Sequence, residues 1–405
     1  MPDDRPILRE VIRALSGPLD KRARAALRPF ESWPPHLRPA TARALGRFAR
    51  EHLDELGAKL TSANHSLRHA AAYALGLSEE ERAATPLVGL LCHQQDHFDH
   101  DFAYQALGKL GVHALRPLER FALEGSDDEA YEAVQALGQS SADALPCLQR
   151  VLAGRSPLPE RFFMAYVNLS DPRGLPDVLP ALQSTDPRRY RDALYAASTL
   201  LEEARARGQP RPGDADAFAD AVARFLDSDD LQASALSCLR SLRDPRYLAA
   251  LQGISTGAEP DAAGDAIKAI GAYHTEAARA HLARLLDHPA LERGTAAAVA
   301  LLEDAEATRA TKERATTVAV EGLAKLPGDS AWCAAATLCR TSVRLRRAVS
   351  GALLSSKGSE KKRLVYALVW VLPARYERRL LAGCSAEVRP LVSRALEREK
   401  ASGRR

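Results

Sequence analysis

The triplet Ala-Leu-Gly recurs at Ala74-Leu75-Gly76, Ala106-Leu107-Gly108 and Ala136-Leu137-Gly138, a period of 30 to 32 residues that leaves few folds open to this chain. Self-similarity at such a period means stacked copies of one supersecondary unit, each unable to bury its apolar face alone. Every copy continues alike. After the glycine comes a short turn, then an apolar run that carries a proline: Pro86 within 84–88, Pro117 within 114–118 and Pro146 within 144–148. The grammar is helix, glycine, turn, proline, helix. Gly76, Gly108 and Gly138 are expected in a left-handed or turn conformation at the end of the first helix. The three prolines are expected in the first turn of the second helix, where a missing N–H would have no intrahelical partner anyway.

Composition agrees with helices throughout. Of the residues 46% are hydrophobic but only 5% aromatic, so the apolar content is mostly Ala and Leu, strong helix formers, with little of the aromatic and β-branched enrichment of strands. Weaker copies extend the series through Tyr166-Val167-Asn168, Cys238-Leu239-Arg240 and Ala269-Ile270-Gly271, with Asn168 taking the left-handed place of glycine. Asp171-Pro172, Asp186-Pro187 and Asp244-Pro245 are expected to start helices, Asp as N-cap and Pro as first helical residue. The stretch Glu202 to Asp216, with Gly208 to Gly213 rich in Gly and Pro, reads as a longer loop. Beyond Leu291 the triplet disappears, but apolar runs at 315–326, 334–339, 364–372 and 388–396 still predict helices.

Ser66-Leu-Arg-His-Ala-Ala-Ala-Tyr-Ala-Leu-Gly76 and the two copies after it resemble the HEAT repeats of the phycobilisome-lyase-like class. That resemblance implies an all-α, right-handed α-solenoid of stacked helical hairpins. The expected organisation is an atypical helical cap over 1–60, a repeat array over 61–290 with the loop near 203–216, and irregular helical repeats over 291–405. The cap is expected because Pro2, Pro6, Pro18, Pro29 and Trp33-Pro34-Pro35 do not fit the repeat.

The same resemblance supplies the sharpest enzymatic reading, since deoxyhypusine hydroxylase is a HEAT-repeat enzyme that binds two irons through His-Glu pairs. Arg68-His69-Ala70-Ala71-Ala72-Tyr73 resembles its motif, but Ala70 stands where the Glu belongs, and the equivalent slots of the next repeats hold Asp101-Phe102 and Tyr131-Glu132. An iron site needs several convergent His and carboxylate ligands, so the resemblance does not carry the activity over. His93, His97 and His100 lie at i, i+4, i+7, a workable spacing for a divalent metal on one helix face. The segment straddles a turn between hairpins, however, and is expected to be solvated, with no metal and no cofactor. There is no GxSxG, P-loop or HExxH. A site assembled across repeats would escape such a search. The six cysteines lack CxxC spacing and are expected as free thiols. No stretch has a membrane span's length of apolar residues and the start lacks a secretory core, so a cytoplasmic location is expected.

The net charge of +4 hides an uneven distribution. Residues 1–50 hold 11 Lys/Arg against 5 Asp/Glu and residues 340–405 hold 17 against 5, which leaves 28 against 42 between them. Arg346, Arg347, Lys361, Lys362, Arg363, Arg378 and Arg379 are the expected partner-binding residues of the basic end, with Tyr366, Trp370 and Tyr376 interleaved. The function expected is a non-catalytic scaffold or adaptor that binds a protein partner, acidic where it meets the C-terminal repeats. The alternatives are a nucleic-acid-associated protein and a metal-dependent or lyase-like enzyme.

Overall fold

The computed structural model describes residues 5–17, 21–30, 39–92, 97–210, 212–257, 259–326, 330–369 and 389–401. Trp33 to Pro35, His93, Arg378 and Arg379 lie outside them, as do the side chains of Pro6, Pro29 and His97. The chain is all-α: the described residues form α-helices joined by turns and short 3-10 segments, with no strand among them. Two compact units, Met1–Pro212 and Gly213–Arg405, divide the chain inside the expected loop. The loop is shorter than the Gly and Pro content suggested. Helix Pro187–Ala206 runs through Glu202, and the next helix starts at Ala215.

In the first unit the triplets close the helices His65–Gly76, His97–Leu110 and Asp127–Gly138, which pack in succession against one another. The second helices are Ala84–Cys92, Val112–Glu124 and Leu145–Gly154. In His65–Gly76 every residue from Ser66 onward is buried, so the alanines set how closely neighbouring helices approach. The N-terminal segment packs on this helix too. Phe30 is fully buried and meets the Tyr73 ring edge-on at 5.6 Å. The second unit repeats the scheme: Gln232–Leu242, Pro260–Gly271 and Leu291–Glu303 stack in succession, followed by Arg309–Lys325, Ser330–Thr341, Val343–Ser355, Gly358–Val369 and Arg389–Ala401.

The glycines are helical, contrary to expectation. Gly76 and Gly138 are the last residues of their helices, and Gly108 lies two residues before the end of its own. Left-handed backbone falls later in the turn, at Glu79, Ser170, Arg243 and His274, with φ between 49° and 59°. Asn168 is likewise helical and Ser170 takes the left-handed place. What requires glycine is proximity. A Cβ on Gly76 would lie 2.7 Å from the Ala106 carbonyl oxygen, and one on Gly138 would lie 2.6 Å from Cα of Ala165. Gly108 is under no such constraint, its nearest neighbour being the Gln139 carbonyl oxygen at 4.0 Å.

The prolines divide as well. Pro146 and Pro86 occupy the first turns of their helices, whereas Pro117 is the sixth residue of a helix that already starts at Val112. The Asp-Pro pairs do start helices. Asp171, Asp186 and Asp244 accept from the backbone N–H of Arg173, Arg188 and Arg246 at 3.0 to 3.1 Å. In two of them the arginine side chain also folds back: Arg173 Nη2 lies 2.5 Å from Asp171 Oδ2, and Arg246 Nη2 lies 2.6 Å from Asp244 Oδ2. That hydrogen bond holds the Asp171 carboxyl below its usual range. No described helix is long and apolar enough to cross a membrane.

Candidate functional site

Of the metal candidates, His69 and His100 have described side chains, and these make separate contacts. His69 is buried, with Nδ1 3.2 Å from the Phe30 carbonyl oxygen, Nε2 3.2 Å from Asp99 Oδ1, and its ring stacked on Phe102 at 3.8 Å. Arg68 Nε donates to both Asp99 oxygens at 2.9 and 3.0 Å. Asp99 is fully enclosed, and its carboxylate is satisfied by a cation and an imidazole from the preceding repeat. One residue further on, His100 turns away toward Glu132, with Nε2 3.4 Å from Oε1, and Tyr104 also donates to that carboxylate. Two neighbouring residues thus serve two different inter-repeat contacts. Among the described residues no three His, Cys, Asp or Glu side chains converge to hold a metal.

A pair that local motifs could not reveal joins Ser255 and His281, with Oγ 2.8 Å from Nε2 and both residues buried. Ser255 Oγ also lies 2.7 Å from the Gln252 carbonyl oxygen, an acceptor that competes with His281 Nε2 for the serine's only hydroxyl proton. Burial lowers the His281 pKa, and Arg284 adds to that effect. Cys147 is buried and its thiol is pushed up to about 11 chiefly by that burial, so it stays protonated.

An open groove of about 830 Å³ lies between the second helices Val112–Glu124 and Leu145–Gly154. Val112, Leu115, Leu123 and Pro146 supply its apolar surface, and Arg116, Arg120, Glu124 and Asp143 its charges. The helices close against the core through Ala114, Leu118 and Ala122 on one side and Leu148 and Val151 on the other, all buried. That leaves Val112 58% exposed at the groove's mouth. Glu119 and Arg150 bridge the two helices at 2.6 Å, which fixes the groove's width.

At the basic end, helix Val343–Ser355 is capped by Ser342, whose hydroxyl accepts from Leu345 N–H at 3.2 Å. Leu345, Val349 and Leu353 are buried, so Arg344, Arg347, Gly351 and Leu354 face outward. The seven expected partner-binding residues part company here. Arg346 and Arg363 cap helix ends: Arg346 Nη1 lies 3.3 Å from the Cys339 carbonyl oxygen, and Arg363 Nη1 reaches the Ala324 and Lys325 carbonyl oxygens at 3.1 and 2.7 Å. Arg347 and Lys362 are exposed and Lys361 is half-buried. Arg378 and Arg379 lie outside the described residues.

The fold and these surfaces define a class: an all-α protein of stacked helical hairpins. No family model matches the chain, and no curated protein matches it. Among solved structures it is similar to an engineered protein at 17% identity, over 89% of this chain and 98% of that one, with a TM-score of 0.39. It is also similar to Kap121p (12%, 90% and 45%, TM-score 0.44) and to importin beta (12%, 95% and 60%, TM-score 0.46). The chain spans 45% of Kap121p and 60% of importin beta.

Proposed function

We propose that this chain is a non-catalytic scaffold or adaptor of the cytoplasm that binds a protein partner along the second helices of its hairpins. The observation that carries the reading is the 830 Å³ groove between Val112–Glu124 and Leu145–Gly154, whose lining mixes Val112, Leu115, Leu123 and Pro146 with charges of both signs. Such a surface suits a polypeptide, whose side chains meet apolar and polar features within a few residues of each other. The phycobilisome-lyase-like resemblance is a likeness of repeat architecture and adds no chemistry to this reading. A basic C-terminal end that meets acidic side chains belongs to the same scaffold.

The test introduces Leu115→Glu and Arg120→Glu, both on the groove's surface, and compares capture of partners from the native cell by the variant and by the unaltered chain. Loss of one or a few proteins with the helical content unchanged is the expected result. An identical captured set, or turnover of a small molecule by the purified chain, overturns the reading. The alternative of nucleic-acid association predicts binding to duplex or single strands that falls linearly with log salt and persists in the groove variant.

A further inference from the structure

Helix Val343–Ser355 carries an outward face that the groove does not explain. At 100° per residue, Arg344, Arg347, Gly351 and Leu354 fall within an arc of about 80°, opposite the buried Leu345, Val349 and Leu353. Arg344 and Arg347 are exposed and pair with nothing among the described residues; Lys357, just past the helix end, and Lys362 add two more such cations. Leu354 is 51% exposed, one of three large apolar side chains left so open among the described residues. Between Arg347 and Leu354 the helix backbone is bare and open, since Gly351 carries no side chain and a Cβ there would meet no atom within 4 Å. Two guanidinium groups, bare backbone and a leucine therefore follow one another along about 15 Å of helix.

We propose that this face docks an acidic amphipathic segment of a partner protein, its carboxylates on Arg344 and Arg347 and an apolar side chain over Gly351 against Leu354. The inference deepens the scaffold reading and rests on it. The charges of residues 340–405, 17 basic against 5 acidic, select an acidic occupant. The exposed Leu354 beside bare backbone at Gly351 selects a polypeptide over nucleic acid, since a phosphate backbone places nothing apolar there. Withdrawal of Arg346 and Arg363 to helix ends further shortens the row of phosphate contacts that nucleic acid would need. A second copy of this chain is the competing occupant: helix Asp127–Gly138 turns Ala130, Val134 and Leu137 into its own core and leaves Tyr131 half-buried beside its acidic first turn.

The probe is a fluorescent helical peptide of roughly 15 residues with Glu along one face and Leu at i and i+4 beside it. It is compared with an oligoglutamate of equal charge and with a DNA duplex of about 20 base pairs. The amphipathic peptide should bind at least about tenfold tighter than either. Arg344→Glu with Arg347→Glu should weaken it by about tenfold or more, and Leu354→Ser should weaken the amphipathic peptide alone. Arg309→Glu, a charge reversal on another helix of the same unit, should change affinity by less than about twofold. Circular dichroism checks that each variant keeps its helices. Equal binding of the two peptides, no effect of Leu354→Ser, tighter binding of DNA, or no peptide binding each overturns the proposal. So does self-association that is lost in the double arginine variant. Failure here while Leu115→Glu still loses its native partner removes this docking face and leaves the scaffold reading standing.

Discussion

Replacing Gly76 with alanine sets a methyl carbon 2.7 Å from the carbonyl oxygen and 2.8 Å from Cα of Ala106, where ordinary contact begins near 3.4 Å. Both obstacles are backbone, so no rotamer change relieves them. Helix His97–Leu110 must retreat by more than half an ångström, which loosens the contacts of Ala70, Ala74, Phe102 and Ala106. Overpacking of this kind costs about 1–3 kcal/mol, and the better helix propensity of alanine returns only about 1 kcal/mol. Gly108→Ala differs in one respect: its methyl meets nothing closer than the Gln139 carbonyl oxygen at 4.0 Å. That variant should gain about 0.5–1 kcal/mol. The two substitutions should thus separate by about 1–3 kcal/mol despite equivalent positions in the repeat. Urea titration followed by circular dichroism measures the difference, with hydrogen exchange reporting whether the loss centres on these two helices. If Gly76→Ala raises the midpoint as Gly108→Ala does, the close-approach account of the triplet is wrong.

Three further outcomes follow from the inter-repeat contacts. Arg68→Met should cost about 3–5 kcal/mol by leaving the enclosed Asp99 carboxylate without its cation, and Arg68→Met with Asp99→Leu should recover most of that in thermal unfolding. Asp171→Ala should cost about 1–2 kcal/mol as the cap of its helix start is lost, with Asp171→Asn intermediate in urea titration. Because the folded His281 pKa lies below 6.5, the unfolded chain takes up the proton first as pH falls, so stability should decline from pH 6.5 downward. His281→Phe should flatten that decline in midpoints measured between pH 7 and pH 5.

Short-range grammar was legible in the sequence. The Ala-Leu-Gly triplets, the Asp-Pro starts and the apolar runs beyond Leu291 all mark helices because capping and periodicity act within a few residues. The role of each glycine was not legible. Gly76 and Gly108 follow the same Ala-Leu pair, and the distance to the next helix is what makes one of them necessary. Arg68 with Asp99, and Ser255 with His281, are 31 and 26 residues apart, about one repeat, so no local pattern joins them. Arg346 and Arg363 counted equally with Arg347 as surface charge until the carbonyl oxygens at neighbouring helix ends accounted for them.

Glu79, Ser170, Arg243 and His274 each hold a positive φ in the turn after a helix. A side chain in that conformation is strained by about 1 kcal/mol or more relative to glycine, and none of the four is β-branched. The array thus retains unclaimed stability in four of its turns. Glycine at all four sites would turn a natural repeat into a sturdier engineering scaffold without touching the groove or the basic helix.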